Sequence, residues 1–498
     1  MKNMTLNRLS TGVSGLNEIL HGGLIPSRAY LVRGGPGTGK TTLGLHFLVA
    51  GASKGEAAVF ISLEESEENV QKNARALGLD LAGVTFLDLS PGSDFFAEGQ
   101  TYDIFSPAEV EREPTTRKII EQVEALQPRR VFLEVMSEFR YLSSDPFQFR
   151  KQVLSFLRFL TAKGATVLLS SEGSVLAPDD DLQFMADGVI HLDSAAPGRT
   201  VRVTKFRGSE FRAGRHSMRL TSRGMEVFPR LLPSNHGREF EVEQAVSGIG
   251  ELDALLHGGL ERGMITIITG PTGVGKTTVG LQFMMQAARR GERAVIYTFE
   301  ESRETMLARS AGVGMPLQPL IESQMLSVVQ VEPLRFTPDE FAHLVRQEVE
   351  DRSARLVMLD SVSGYHLSMH GEEMDGNDDR LVIHLHALCK YLRNMGATGI
   401  LVNEVERFTG EFRATESGIS YLTDNIIFLR YVEMNAEIHR VIGVLKKRLS
   451  GFERALRELE IIPHEGIKVG PPLTGLTRIL TGTPEWSDKR QKEVSAGR

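Results

Sequence analysis

The chain has 498 residues, 41% hydrophobic and 24% charged, an ordinary globular composition long enough for two or three domains. A net charge of −7 argues against a protein built mainly to coat nucleic acid. The single cysteine, Cys389, excludes intrachain disulfides and any cysteine-based zinc site, and it reads as a small buried helix residue.

The amino-terminal MKNMTLNRLSTG has no apolar h-region, and no apolar run approaches membrane-spanning length. The expectation is a cytoplasmic protein that meets no membrane. GVSGLNEILHGGL (residues 12–24) leads into AYLVR (29–33), the short apolar, β-branched run of a buried parallel strand. RGGPGTGKTT follows, and from Gly34 to Thr41 it satisfies G-x-x-x-x-G-K-[ST]. TTLGLHFLVAGA then has the apolar spacing of a helix.

Beyond that helix, KGEAAVFISLEES (54–66) ends in the acids Glu64 and Glu65. RRVFLEVMSEF (129–139) holds an apolar strand ending at Glu134, and KGATVLLSSE (163–172) and ADGVIHL (186–192) continue the pattern. VTKFRGSEFR (203–212) carries Lys205 and Arg207 at the end of a late strand. PRLLPSNHGREFEVEQ (229–244) is polar and proline-bearing, as a join between domains should be.

The whole series then recurs in the same order. GIGELDALLHGGL (248–260) and MITIIT (264–269) precede TGPTGVGKTT, with the motif running from Gly270 to Thr277. TTVGLQFMMQAA and RGERAVIYTFEES (290–302) follow at the same spacing as in the first half, the latter ending in Glu300 and Glu301. ARLVMLDSVSGY (354–365) delivers Asp360 where the first half has Glu134. MGATGILVNE (395–404), TDNIIFL (423–429) and VLKKRLSGFE (444–453) complete the match, the last with Lys446 and Arg448. One α/β domain is therefore used twice, each copy alternating strands and helices as a mostly parallel sheet does. The predicted division is 1–232, a linker at 233–243, a second domain at 244–483 and a flexible tail at 484–498.

A triphosphate is a dense cluster of acceptor oxygens and needs several N–H donors converging on one point. Glycines let a loop curl that tightly, and the following helix adds its N-terminal N–H groups and positive dipole end. The ATP-binding residues are then Gly34, Gly37, Thr38, Gly39, Lys40, Thr41 and Thr42, with Gly270, Gly273, Val274, Gly275, Lys276, Thr277 and Thr278 in the second copy. Lys40 and Lys276 would reach the β- and γ-phosphates, and the hydroxyls of Thr41 and Thr277 would coordinate Mg²⁺. Hydrolysis also needs an acid at a strand end to hold the metal, for which Glu134, Asp360 and Glu300 are the candidates. Glutamate reaches one methylene further than aspartate, so the first site is expected to hold the metal differently. Glu64, Glu65, Glu300 and Glu301 are placed to polarise a water or hydroxyl attacking the γ-phosphate, or else are helix N-terminal acids favoured by the dipole. Lys205, Arg207, Lys446 and Arg448 are solvated surface residues, or, in a ring, project into a neighbour's nucleotide site.

Together the tandem arrangement, the SGL…LHGGL lead-in, the EES after the third element and the late K-x-R strand resemble the KaiC-like family of circadian clock ATPases, within the RecA-like P-loop class. The resemblance runs from about Leu9 to Thr483. It implies double-ringed homohexamers with ATP between neighbouring subunits, and Glu64 and Glu300 as the residues that activate the attacking group. It implies that Lys205, Arg207, Lys446 and Arg448 contact the neighbour's nucleotide, and that a KaiB-like or signalling partner exists. It also implies a serine/threonine autokinase in the second domain. Ser420 occupies the family's serine position, Tyr421 stands where its neighbouring threonine should be, and Thr415 matches a nearby threonine. Leu449 replaces the glycine that follows K-x-R in the first copy.

Two other functions stay open on sequence alone. One is a nucleotide-gated assembly scaffold with slow hydrolysis, which Glu134 would suit. The other is a DNA-dependent RecA/RadA-type motor, which wants basic mobile loops after the metal-binding strand. The chain reads MSEFRYLSSDP and SVSGYHLSMHGEEMDGNDD there, and the second of these is a poor surface for a phosphodiester backbone.

Overall fold

The computed structural model describes residues 7–62, 65–88, 114–134, 146–173, 179–195, 198–333, 335–369, 378–405, 422–434, 436–474, 476–477 and 485–486. The chain divides into two compact units, Met1–Arg230 and Leu231–Arg498. Among the described residues each unit builds one nine-stranded sheet. No helix among them is long and apolar enough to cross a membrane.

In the first unit the strands are β1 (Ala29–Arg33), β2 (Ala58–Ser62), β3 (Val84–Asp88), β4 (Arg130–Leu133), β5 (Thr166–Ser171), β6 (Gly188–Ala195), β7 (Gly198–Phe206), β8 (His216–Thr221) and β9 (Gly224–Phe228). They lie in the order β3-β2-β4-β5-β1-β6-β7-β8-β9. Every pair from β3 to β6 is parallel, and β7 to β9 add on antiparallel. β1 shows why its sequence is a continuous apolar run. Tyr30 and Val32 enter one core cluster while Ala29 and Leu31 enter the cluster on the other face, so both faces of the strand are covered.

The second unit repeats this plan. After the two-residue strands β10 (Gln244–Ala245) and β11 (Leu260–Glu261) come β12 (Ile265–Gly270), β13 (Ala294–Thr298), β14 (Leu326–Gln330), β15 (Leu356–Asp360), β16 (Thr398–Glu404), β17 (Asn425–Met434), β18 (Glu437–Lys446), β19 (Arg457–Ile462) and β20 (Gly466–Pro472). The order β14-β13-β15-β16-β12-β17-β18-β19-β20 is that of the first sheet, position for position. These are two tandem RecA-like α/β domains.

The stretch 233–243 is built into the second unit. Asn394 donates to the Pro233 carbonyl at 2.7 Å, and His236 Nδ1 lies 2.9 Å from the Glu350 carboxylate. The His236 ring also meets Tyr391 edge-on, with centroids 5.3 Å apart. Phe240 closes over Gly263 and Gly396, where a Cβ would strike its ring.

Candidate functional site

Each glycine-rich loop leaves the carboxyl end of a central strand, β1 or β12, and runs into a helix, Lys40–Ala52 or Lys276–Arg289. The residues capping these helices, Gly39 and Gly275, have φ of 100° and 108°, a left-handed backbone that side chains resist. That turn aims the first helical N–H groups into the loop, which makes it a cradle for anions.

The loop lysines are buried and curled into this cradle. Lys40 Nζ donates to the carbonyls of Gly34 and Gly35 at 2.9 and 3.0 Å and lies 3.6 Å from the Glu172 carboxylate. Lys276 Nζ donates to the Pro271 carbonyl at 2.8 Å. Burial pushes the Lys276 ammonium below its ordinary range, against the pull of Glu404, Asp360 and Glu300. Thr38 and Val274 are buried within the loops, Thr38 donating to the Gly35 carbonyl at 2.8 Å. Thr42 and Thr278 lie in the first turn of their helices, Thr278 buried.

Beside each lysine a threonine hydroxyl faces an acid. Thr41 Oγ1 donates to Glu134 at 2.7 Å, and Ser62 Oγ lies 3.2 Å from the other Glu134 oxygen. Thr277 Oγ1 donates to Asp360 at 3.2 Å. Glu134 is 2% exposed and Asp360 9%, so both charges are shielded from water. Burial, countered by Thr277 and Arg309 and reinforced by Glu300 and Glu301, raises the Asp360 carboxyl to about 6. Such a group favours a cation beside it. A hydroxyl next to a buried carboxylate fits Mg²⁺, a hard ion bound by one or two carboxylates plus phosphate and water oxygens. No group of three or more His, Cys, Asp or Glu that could cage a metal occurs among the described residues.

The acidic pair of the second unit separates into two environments. Arg309 holds Glu301 through both oxygens, at 3.0 and 2.7 Å, while Thr298 donates to its backbone carbonyl at 2.7 Å. Glu300 is exposed, and one of its oxygens accepts from the Ser361 hydroxyl. In the first unit Asn73 stands where Arg309 is and reaches Glu65 at 3.3 Å, and Ser62 donates to the Glu65 carbonyl. Glu64 lies outside the described residues, as do Thr415, Ser420 and Tyr421.

The late basic residues sit at the other end of their own sheets. Phe206 of β7 pairs with Gly188, the first residue of β6, which pairs in turn with Tyr30 near the start of β1. The phosphate loop leaves the far end of β1, roughly 15 Å away at about 3.3 Å per residue. Lys205 Nζ donates to the Gln183 and Phe184 carbonyls at 2.8 and 3.1 Å, and Arg207 is 3.7 Å from Asp187. In the second unit Lys446 donates to the Thr423 carbonyl at 2.6 Å and Arg448 to Asp424 at 3.2 Å. The arginine side chains are 58% and 65% exposed, so neither serves its own loop and both face outward.

Sequence reasoning missed one pair of residues. Glu172 directly follows β5 and Glu404 ends β16, the strands beside β1 and β12, and they face Lys40 and Lys276. Glu404 also meets the Thr272 hydroxyl. Their signal was present, since they occupy matching positions in KGATVLLSSE and MGATGILVNE.

Comparison with known proteins agrees with this arrangement. A family model described as "ATPase: KaiC" matches residues 9–231 and 245–474. The circadian clock oscillator protein KaiC of Synechococcus elongatus is 28% identical, over 97% of this chain and 93% of its own length. The circadian clock protein KaiC3 of Synechocystis is 27% identical, over 99% and 97%. The KaiC of Prochlorococcus marinus (strain MIT 9313) is 26% identical, over 97% and 96%.

Proposed function

We propose, from the premise that this chain belongs to the KaiC ATPase family, that both units bind Mg²⁺·ATP and hydrolyse it, in a homohexamer that acts in circadian-type timing or signalling. The observation that carries the reading is the twice-built cradle, in which a buried loop lysine, a threonine hydroxyl and a buried acid converge. Mg²⁺, held by Thr41 with Glu134 or by Thr277 with Asp360, would neutralise phosphate charge. Lys40 and Lys276 exchange their carbonyl partners for phosphate oxygens, a gain in charge complementarity.

Glu300 takes the proton from the attacking water or hydroxyl, because Arg309 already occupies Glu301. Glu64 has this role in the first unit. Lys205, Arg207, Lys446 and Arg448 complete the neighbour's site, since each pair points away from its own loop; an arginine supplied in trans is worth about 10³–10⁵ in rate. The second unit also phosphorylates its own chain at Ser420, with Tyr421 and Thr415 as the other hydroxyls of that stretch. A KaiB-like or signalling protein is the partner, and the cytoplasm is the place of action.

Phosphate release from the full chain tests the core of this reading. Lys40→Ala and Lys276→Ala are each expected to remove one unit's share, and the double variant nearly all of it. Undiminished release by the double variant would overturn it. A mass shift localised to Ser420 and absent in Glu300→Gln tests the kinase step, and unchanged labelling of Ser420→Ala rejects that site.

A further inference from the structure

The two units share their phosphate loops but differ at the edge of the sheet. In the second unit β14 is the edge strand, and among the described residues it pairs only with β13. A cleft of about 610 Å³ opens along it, walled by Ser327, Val328 and Val329 of the strand and by Arg293, Arg303 and Arg352. A second cavity of about 340 Å³ shares Val329, Glu348 and Arg352 and reaches Tyr297. Both lie in the size range of ligand sites.

The polar groups here are incompletely satisfied. Glu348, buried, takes Arg293 at 3.2 Å and Arg352 at 2.7 Å, so one carboxylate serves two guanidiniums. Arg303 Nε is buried with no hydrogen-bond partner. The Tyr297 hydroxyl is also without one, on a side chain only 1% exposed. A buried donor of this kind gains when an acceptor is brought to it. The turn carrying Glu348 is a π-helix, Gln347–Asp351, a local irregularity that recurs at functional sites.

The first unit provides an internal control. The positions of Arg293, Tyr297 and Arg303 are Ala57, Ile61 and Glu67 there, and those of Glu348 and Arg352 are Gln122 and Leu126. The alignment of that turn is secured by Gln127 and Ser353, both in the left-handed region. None of the cleft's charges is therefore needed for a KaiC-type fold.

The strand's free edge shows what could bind. Ala294 donates to the Met325 carbonyl and Val331 donates to the Thr298 carbonyl, so alternate residues of β14 face β13. Leu326, Val328 and Gln330 turn their N–H and C=O outward. We propose that this edge docks an extended acidic peptide segment of a partner protein. The segment adds as a further strand on β14 and sets carboxylates against Arg303 and Arg352. Successive strand residues along one wall favour an extended occupant over a compact anion. A second copy of this edge is disfavoured, because LSVVQ holds no acid and self-pairing would bring like arginines together.

Fluorescence anisotropy with the full-length protein tests the proposal, using a panel of labelled peptides that alternate glutamate with valine or threonine. Matched peptides carry lysine for glutamate. The acidic peptides are expected to bind and the lysine peptides to fail. Arg303→Glu should weaken binding at least about tenfold. Val328→Pro removes one outward N–H and no ladder bond but also trims packing against the core, so peptide binding should fall in it and persist in Val328→Ala, which trims the same packing and keeps the N–H. Absence of binding across the panel, equal binding of both peptide sets, or full binding by Arg303→Glu would overturn the proposal. Binding that survives Val328→Pro would reject strand addition. Because binding is read directly, its failure leaves the ATPase reading standing.

Discussion

Glu300 and Glu301 are neighbours in sequence with opposite assignments, and the difference is one arginine. Arg309 neutralises Glu301 through two hydrogen bonds, whereas Glu300 keeps one hydroxyl partner and an exposed carboxylate. In a Lys40→Ala background, which isolates the second unit, Glu300→Gln should lower phosphate release by about 10²–10⁴. Glu301→Gln should cost clearly less, since it loosens a support without removing the proposed base. Equal losses would reassign the pair. Cys389 is a simpler case: full burial pushes its thiol up to about 12. In the native protein at pH 8 it should therefore resist thiol reagents and react only after unfolding. Its inertness was legible from a lone cysteine in a helical stretch. The family resemblance singled out Glu300, but the ion pair that occupies Glu301 was not legible, because Arg309 lies a full turn or more into the next helix and nothing local marks its direction.

Between helix and sheet, small residues set the distance. A Cβ on Gly44 would lie 2.5 Å from the ring of Phe132, which is fully buried and has nowhere to move. At the matching position, a Cβ on Gly280 would lie 2.7 Å from the end of the Met358 side chain, which is buried too but is an unbranched, flexible chain that adapts where a rigid ring does not. Gly44→Ala should thus destabilise the protein by about 1–3 kcal/mol. Gly280→Ala should be close to neutral, because the gain of about 1 kcal/mol in helix propensity offsets the displacement; calorimetric melting separates the two. The stretch 233–243 gives a second test. Burial raises the Glu350 carboxyl, but Arg346, Tyr391 and His236 outweigh it and leave the group below its ordinary 4.5. A depressed folded value means stabilisation that is complete above the unfolded value and lost as pH falls through the folded one. Glu350→Gln should lower the melting temperature at pH 7, with the difference from wild type shrinking steadily below about pH 4. These elements themselves were readable. The strands AYLVR and MITIIT and the helices after each loop appear where apolar spacing put them, within a residue or so.

For the whole molecule, the separation of each K-x-R from its own phosphate loop makes a prediction about assembly. If rings form, a chain with Lys40→Ala and Lys276→Ala still offers intact basic residues, and a chain with Arg207→Ala and Arg448→Ala still offers intact loops. Mixing the two before ATP is added should restore phosphate release above the sum of the separate proteins. Sizing with and without ATP should show the larger species only with nucleotide. Failure of complementation despite mixed assembly would place those arginines outside the site.

Twin phosphate loops, the order of elements and family membership were determined by the chain itself, because tight anion binding demands glycine, lysine and threonine at fixed spacing on contiguous backbone. Tertiary structure alone decided which acids are free and that Glu172 and Glu404 face the lysines. It also decided that the basic pairs point away from their own loops, and that the β14 edge is lined with unsatisfied donors. The physical reason is that charge pairing and burial are set by residues distant in sequence, brought together only when the strands take their crossed-over order.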